Sequence, residues 1–256
     1  MPARQRPGAT RGLGSGSTES VATPKRVGDD ESWATVAVGW GHTCGLRVEG
    51  SLWCWGRNAE GQLGDDTFEQ SSEQRRITQR ETFRRVRAAG HHTCALDNLG
   101  QLECWGENTD GELGTGDTTH RGAPVVVALD APVSSFATGV FQTCAITEAG
   151  TLWCWGELEG TDGGRADSDD ALRPVKIETS VAFREIVTGH DFACGLVESD
   201  QTVRCWGNSN YTSIDFTPPA GIAFSSLSAG SDVVCGLRER DGVEVCWGDW
   251  ARNHWR

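Results

Sequence analysis

The sequence predicts an all-β fold made of repeats, and two features of the chain lead to that prediction. Ten cysteines form five pairs at nearly constant spacing, and the same strand–turn–strand pattern surrounds each pair. The first cysteines of the first four pairs are evenly spaced, and the last step is shorter. A regular period of this kind is typical of repeats that each form one supersecondary unit. The pairs are Cys44/Cys54, Cys94/Cys104, Cys144/Cys154, Cys194/Cys205 and Cys235/Cys246.

Each repeat contains two short apolar segments that predict a β-hairpin. The first segment reads TCGL, or a close variant, and the second ends in CWG, with a Gly- or Asp-bearing turn between them. The two cysteines are 10 positions apart in the first three repeats and 11 apart in the last two. They lie directly opposite each other if the hairpin loop has an odd number of residues in the first case and an even number in the second. Opposed residues are close enough for a disulfide. We therefore expect a disulfide within every hairpin.

Further segments extend each hairpin to four strands. An inner strand ending in Gly precedes the first cysteine, and outer strands are expected at 74–77, 123–127, 173–177 and 218–222. Four-stranded sheets in radial repetition describe a β-propeller. Five blades are predicted, and residues 23–27 are expected to supply the outer strand of the last blade and close the ring. The small residue after each first cysteine is expected to make room for the Trp of CWG.

These elements define the predicted domain organisation. Residues 1–20 are expected to be a flexible linker or tail, and residues 21–256 the propeller. The expected tail shows no signal peptide, and no segment of the sequence is long enough to span a membrane. The repeats are predicted near 33–80, 81–130, 131–180, 181–222 and 223–256.

Composition bounds the partner and the compartment. The net charge of −13 argues against nucleic acid, which requires neutralisation of phosphates. An arginine-rich run at 75–87 is interpreted as a solvated edge, with an anion-binding stripe as the alternative. An even number of regularly paired cysteines favours an oxidising compartment. We expect an extracytoplasmic protein, whether secreted, periplasmic or at the cell surface.

The segments that follow CWG carry a family resemblance. Residues 55–64 (WGRNAEGQLG) and 105–114 (WGENTDGELG), together with 39–44, resemble the regulator of chromosome condensation repeat. The resemblance implies a propeller, usually of seven blades, whereas this chain shows five. The cysteine-paired version is similar to repeats of exported bacterial proteins. Members act mostly as binding platforms, so another protein is the expected partner.

The turns between the inner strand and the hairpin are the predicted binding site. They differ in every repeat while the strand segments barely change, which suits recognition of an asymmetric partner. The resemblance implies that His42 and His92 are the usual repeat histidine and hold a turn by hydrogen bonds. The predicted ring of turns consists of Trp40, His42, His91, His92, Phe141, Gln142, His190, Asp191, Phe192 and Asp232.

Two other functions stay open at this point. A metal- or sugar-dependent enzyme would use the ring's histidines, with His42, His91 or His92, His190 and Asp191 as metal ligands. The chain is instead expected to be a non-enzyme without cofactor, because it lacks G-x-S-x-G, H-E-x-x-H and phosphate-loop motifs. The acidic loop 160–170 is interpreted as solvated, with calcium as its alternative ligand. A structural module of a larger surface protein is the remaining hypothesis.

Overall fold

The structure is a computed structural model, which describes residues 13–17, 22–24, 26–28, 32–78, 83–158, 172–190, 192–207 and 217–248. This described part contains eighteen β-strands and no helix. It therefore contains no helix with the length and hydropathy needed to cross a membrane. The acidic loop 160–170 and Asp191 lie outside the described residues.

The strands form five antiparallel sheets, named blades one to five in chain order. Blades one to three have four strands each, and blades four and five have three strands each among the described residues. Blade one contains β1 Trp33–Val38, β2 His42–Arg47, β3 Leu52–Gly56 and β4 Ser71–Arg76. Blade two contains β5 Phe83–Ala89, β6 His92–Asp97, β7 Leu102–Gly106 and β8 Arg121–Val126. Blade three contains β9 Val133–Thr138, β10 Gln142–Thr147, β11 Leu152–Gly156 and β12 Val175–Ile177. Blade four contains β13 Phe183–Thr188, β14 Phe192–Val197 and β15 Val203–Gly207, and blade five β16 Phe224–Ala229, β17 Val233–Arg238 and β18 Glu244–Gly248.

The chain divides into two compact units. The first comprises residues 1–107 and 119–126 and contains blades one and two. The second comprises residues 108–118 and 127–256 and contains blades three to five.

The hairpin register is the predicted one, and every predicted cysteine pair is opposed in its own hairpin. All five pairs form disulfides there, and no cysteine is free. The prediction is confirmed because side chains alternate between the two faces of a strand. The spacing of the cysteines and the length of the loop then determine which residues pair. The bonds are Cys44–Cys54, Cys94–Cys104, Cys144–Cys154, Cys194–Cys205 and Cys235–Cys246.

The disulfides differ in burial along the chain, which the repeat pattern does not indicate. Both cysteines are fully buried in blades one to three, including Cys104 and Cys154. In blade four Cys194 is buried, whereas Cys205 is only partly buried. Both cysteines of blade five are also only partly buried. Every hairpin therefore contains the same kind of bond, but the bonds differ in their protection from solvent.

The outer strands follow the prediction in three blades and depart from it at two places. Strands β4, β8 and β12 occupy the expected positions, but residues 218–222 form a turn. Pro218 and Pro219 have no N–H to give to a ladder, and Gly221 takes a positive φ of 71° that suits a turn. The described residues between 23 and 27 are not in a strand, so ring closure by this segment stays a prediction.

The hydrophobic core lies between consecutive blades of each unit. In the first unit, the disulfide face of blade one packs with Phe83 and Val86 of blade two. In the second unit, the disulfide face of blade three packs with Phe183 and Ile186, and that of blade four with Phe224 and Leu227. Burying one such side chain is worth about 1.5–3 kcal/mol, so these layers stabilise each unit.

The small residue after the first cysteine makes room for a different aromatic ring than predicted. A Cβ on Gly45 would lie 2.6 Å from the ring of Trp33, the first residue of β1, and not against Trp55. Phe183 covers Gly195 in the same way. Trp33 in turn packs on Trp55, with ring centroids 5.7 Å apart. The ring at the start of the inner strand therefore separates the glycine from the tryptophan of CWG.

The loop after CWG joins one repeat to the next through a single carbonyl. In the first unit, the main-chain oxygen of Gln62 accepts hydrogen bonds from Trp105 Nε1 and Thr93 Oγ1, both at 3.0 Å. Gly64 packs against the same indole with φ +78°, and a Cβ there would lie 2.5 Å from Trp105 Nε1. We call this loop a latch, and its glycine is required by both the backbone conformation and the close approach.

The second unit contains the same latch one repeat later. The main-chain oxygen of Glu112 accepts from Trp155 Nε1 at 2.7 Å and from Thr143 Oγ1 at 2.9 Å. Gly114 has a φ of +68° and faces the Trp155 indole. In both repeats, therefore, a Leu-Gly step in the sequence lies against the CWG tryptophan of the following repeat: Leu63-Gly64 against Trp105, and Leu113-Gly114 against Trp155.

The glycine contact of the latch is repeated at residues 13–17, within the segment predicted to be a flexible tail. Gly14 has a φ of +65°, and a Cβ there would lie 2.7 Å from Trp55 Nε1. Gly16 N donates to Ser72 O at 3.0 Å, as Asp66 N donates to Gly122 O in the following repeat. Residues 13–17 therefore continue the register of the repeat and are packed on blade one.

We predict that Asn58→Ala lowers the free energy of unfolding by about 3 kcal/mol. Asn58 is fully buried: its Nδ2 donates to the carbonyls of Thr67 and Glu69, and its Oδ1 accepts from Leu63 N. The truncation leaves buried backbone groups unsatisfied, each costing roughly 1–3 kcal/mol. Urea denaturation with the disulfides intact measures the change.

The matched control is Asn98→Ala in the exposed turn of the blade-two hairpin, for which we expect less than about 0.5 kcal/mol. Equal losses in the two variants would contradict the structural role given to Asn58.

Candidate binding site at the turns before the disulfide hairpins

The predicted site residues lie at or beside the turns that connect each inner strand to its hairpin. These turns follow Val38, Ala89, Thr138, Thr188 and Ala229. Main-chain hydrogen bonds join neighbouring turns within a unit. In the first unit, Trp40 N donates to Gly90 O at 2.9 Å; in the second unit, His190 N donates to Ser231 O at 3.0 Å. One pair of neighbouring turns in each unit is therefore linked through the backbone.

Burial separates the predicted residues into two groups. The side chains at the start of the hairpin are at most 4% exposed, which leaves them no surface for a partner in this conformation. Most of the residues just before them are exposed or half-buried. The buried group is His42, His92, Gln142 and Phe192. The accessible group is Trp40, His91, Phe141, His190 and Asp232.

His42 is part of the latch in the first unit. Its Nε2 lies 2.8 Å from Thr93 Oγ1, and the Thr93 hydroxyl donates its proton to Gln62 O. Because that hydroxyl has a single proton, His42 Nε2 must be the donor in the pair. Gln142, at the same position in blade three, donates instead to Phe192 O at 3.1 Å. The residue at this position thus links a hairpin to the following one.

Burial also fixes the charge of these histidines. Desolvation, followed by the nearby charges of His92 and His91, lowers the pKa of His42 from 6.5 to about 3. Desolvation and the charge of His91 lower the pKa of His92 to about 4. Both imidazoles are therefore neutral near neutral pH, which suits hydrogen bonding inside the protein.

Two accessible aromatic–histidine pairs stand at the turns, one in each unit. Trp40 is 59% exposed, and its ring meets His91 edge to face with centroids 5.3 Å apart. Phe141 meets His190 in the same geometry, also at 5.3 Å. Edge-to-face packing holds each ring in one orientation while leaving part of its surface accessible.

An ion pair lies beside the first of these pairs. Arg57 Nε donates to Glu60 Oε2 at 3.1 Å. The Arg57 side chain lies close to Gly41, the residue after Trp40, because a Cβ added to Gly41 would be 3.1 Å from Arg57 Cβ. Burial alone would raise the pKa of Glu60, but hydrogen bonds from Arg57 and Gln62 outweigh it and lower that pKa. The neighbourhood of Trp40 therefore combines a large apolar ring with fixed charges of both signs.

The metal hypothesis gains no support from the residues that the structure describes. Among them, only one group of three potential ligands comes within ligand distance, namely Cys235, Glu244 and Cys246. Those two cysteines are joined in a disulfide and offer no thiolate. His42 is engaged with Thr93, so it is not available as a ligand while the latch is formed.

The latch carbonyls and the segment 13–17 are the interacting residues that sequence reasoning missed. The repeated Leu-Gly step at Leu63 and Leu113, which recurs at Leu13, is the signal that could have found them. In residues 13–17 this step is surrounded by Gly and Ser, a composition that also describes a linker.

Acid should weaken the fold through the two buried histidines. Their folded-state pKa values lie below the unfolded value of 6.5, so their stabilising contribution is complete above pH 6.5. It is lost as the pH falls from 6.5 towards 4, at about 1.4 kcal/mol per pH unit for each histidine. We expect the double variant His42→Gln, His92→Gln to show a flatter pH dependence of the free energy of unfolding.

Gln is the matched replacement, because Gln142 fills this position in blade three. A slope in the double variant as steep as in the wild type would refute the assignment.

Comparison with known proteins identifies the repeat. The family profile of the Regulator of chromosome condensation (RCC1) repeat matches residues 49–96 and 100–146, and a second profile of the same repeat matches residues 33–62. A search of curated protein sequences found no match.

Several solved structures share the fold. Human WBSCR16 is 21% identical over 84% of this chain, with a TM-score of 0.72. Prp20p from Saccharomyces cerevisiae is 20% identical over 86%, with a TM-score of 0.71. The ectodomain of the receptor kinase CR4 from Physcomitrella patens is 24% identical over 88%, with a TM-score of 0.62. The chain spans 61%, 57% and 55% of those three chains.

The repeated antiparallel sheets, the latch loops and these matches agree with one another. The fold is that of a β-propeller, and the matched segments contain the latch residues Asn58, Gln62 and Asn108. Residues 33–96 and 100–146 therefore carry Regulator of chromosome condensation (RCC1) repeats, and the described sheets share the fold of propellers built from such repeats.

Proposed function

We propose that this protein is an exported, disulfide-braced propeller that binds another protein through the accessible residues of its turns. One observation carries the proposal: Trp40 is 59% exposed at a turn whose backbone is hydrogen-bonded to the next turn. A large ring held in place loses little conformational entropy when a partner covers it, and such rings dominate binding energy at interfaces.

The variation between turns supports recognition of one asymmetric partner. The Trp40–His91 pair and the Phe141–His190 pair have the same geometry but different chemistry. The buried residues behind them repeat from blade to blade, as Thr93 and Thr143 show. A constant framework with different exposed side chains is the arrangement expected of a binding surface.

The structural neighbours support a protein partner. Prp20p was described together with its binding properties to Gsp1p and histones, and another structure contains yeast RCC1 (Prp20) bound to Kap60. These likenesses concern the fold, and the partner of this chain is part of the proposal.

The five disulfides support export. Disulfides persist in oxidising compartments and are rare in reducing ones. The net charge of −13 also disfavours a role in binding nucleic acid. We therefore expect the partner to be met outside the cytoplasm.

A module of a larger surface protein is the second candidate function. Two of the structural neighbours are ectodomains of receptor kinases, CR4 of Physcomitrella patens and ACR4 of Arabidopsis thaliana. Both candidates use the same turns, so they differ in attachment and not in the binding surface.

We predict that the triple variant Trp40→Ala, Phe141→Ala, His190→Ala weakens binding to the natural partner at least about 30-fold. The loss corresponds to removal of two or more anchoring side chains. The partner is first captured with wild-type protein from the extracellular fraction, and the dissociation constants are then measured by calorimetry or interferometry.

Leu99→Ala is the control variant, because its side chain is exposed in the turn between β6 and β7, at the other end of these strands from the turn at His91. It should bind as the wild type does. A triple variant that retains the wild-type dissociation constant would exclude this surface as the binding site.

A further inference from the structure

The accessible pair of the first unit, Trp40 and His91, has a carboxylate beside it. Glu107 N donates to His91 O at 3.0 Å, so the residue that follows CWG in blade two lies next to the histidine of the pair. Glu107 is half-buried, and among the described residues no hydrogen bond or ion pair engages its side chain. A carboxylate without a partner in the described part of the chain therefore lies beside an indole that is 59% exposed.

The positive charge of Arg57, which lies near this pair, is already matched by a different carboxylate. The guanidinium of Arg57 makes two hydrogen bonds to Glu60. The pKa of Arg57 is raised, first by the hydrogen bond with Glu60 and its charge, and then by the charge of Glu107. The Glu107 carboxylate is therefore close to the ion pair. One positive and two negative side chains leave this part of the surface with a net negative charge.

The accessible pair of the second unit, Phe141 and His190, repeats this arrangement. Glu157 follows CWG in blade three, is exposed, and donates its backbone N–H to Phe141 O at 2.8 Å. His190 N donates to Ser231 O, and the next residue, Asp232, adds a half-buried carboxylate to the same pair of turns. Turns of different sequence thus combine an aromatic ring, a histidine and a carboxylate in each unit.

An aromatic face beside a carboxylate favours a cationic ligand. The face of an indole or benzene ring attracts an ammonium or guanidinium group, and a carboxylate within reach adds a charge-assisted hydrogen bond. The protein makes such a contact internally, because the guanidinium carbon of Arg47 lies 3.8 Å from the centroid of the Trp53 ring and 5.4 Å from that of Trp33. The net charge of −13 also attracts a basic partner and repels an acidic one.

We propose, on the basis of the function proposed above, that each of these two pairs receives a lysine or arginine side chain of the protein partner. The cation lies over the accessible ring, and the carboxylate beside the pair accepts its hydrogen bonds. This carboxylate is that of Glu107 in the first unit and that of Glu157 in the second. The partner is therefore a protein with basic residues on its contact surface.

The probe is a fluorescent peptide of six arginines, and its control is a peptide of six citrullines, which has nearly the same shape and no charge. We expect fluorescence anisotropy at about 50 mM salt to show binding of the arginine peptide and at least about tenfold weaker binding of the citrulline peptide. No binding of the arginine peptide, or equal binding of the two peptides, would overturn the proposal. Preferential binding of a peptide of six glutamates would assign the surface to an acidic partner instead.

Two double variants separate the sites from the overall charge of the protein. Glu107→Gln, Glu157→Gln should bind the arginine peptide about tenfold or more weakly than the wild type does. Glu148→Gln, Glu198→Gln makes the same change in net charge at exposed hairpin turns, at the other end of the strands, and should bind like the wild type. Equal losses in the two would show that the peptide follows the net charge and would refute the assignment.

A pair of substitutions at Trp40 tests the aromatic face. Trp40→Phe retains an aromatic ring and should bind the arginine peptide more tightly than Trp40→Leu, which keeps an apolar side chain without a ring. Trp40 is exposed, so both variants should fold, and circular dichroism verifies this. Leu binding as well as Phe would contradict a cation over the ring.

The natural partner distinguishes a wrong partner chemistry from a wrong binding surface. We expect Glu107→Gln, Glu157→Gln to weaken the partner at least about tenfold, with a smaller difference from the wild type at high salt. If the partner requires Trp40, Phe141 and His190 but binds this double variant normally, the surface is right and the cationic contact is wrong. If their triple alanine variant loses the arginine peptide and keeps the partner, the cation sites stand and the proposed function is wrong.

Discussion

The described blades depend on one register, in which two cysteines lie directly opposite each other in a short hairpin. This register places the sulfurs and the leucine two residues later on one face, and the tryptophan of CWG on the other. One face then packs on the next blade, and the other receives a latch. A slip of one residue would exchange the two faces and remove both contacts.

The latch shows how one backbone group can fix several elements. Gln62 O accepts hydrogen bonds from an indole and a hydroxyl of the next repeat, and that hydroxyl also accepts from His42. Each of these groups is buried, so each depends on the others for its hydrogen bonds. The residues of the turns take no part in these bonds, and their sequence differs between repeats. Accessible residues such as Trp40 are found there.

Sequence reasoning recovered the parts of the molecule that depend on short separations. The disulfides follow from sequence separations of 10 and 11, and the inner strands from apolar segments ending in Gly. It was wrong at 218–222, where two consecutive prolines resemble an edge strand but support only a turn. It also placed Trp55 over Gly45, because alternation gives the face of a ring and not its reach along the strand.

The burial of the predicted site residues could not be predicted from the sequence, because it depends on contacts between repeats. The sequence indicated the turns, but it could not tell that His42 and His92 are buried while Trp40 is exposed. That distinction depends on Thr93 and Gln62, which approach His42 from outside its own hairpin. Likewise, the Gly- and Ser-rich segment at 13–17 resembles a linker until Trp55 supplies a surface for Gly14.

By itself, the sequence determined the all-β class, the repeat, the hairpin register and the pairing of all ten cysteines, because local alternation and fixed spacing specify them. Only the tertiary structure decided which side chains are buried in latches and which rings cover the glycines. Those outcomes depend on contacts between residues far apart in the chain, as from Gln62 to Trp105 and from His42 to Thr93. The repeated Leu-Gly step marks the latch loops in the sequence, but the contacts themselves exist only when neighbouring blades are in place.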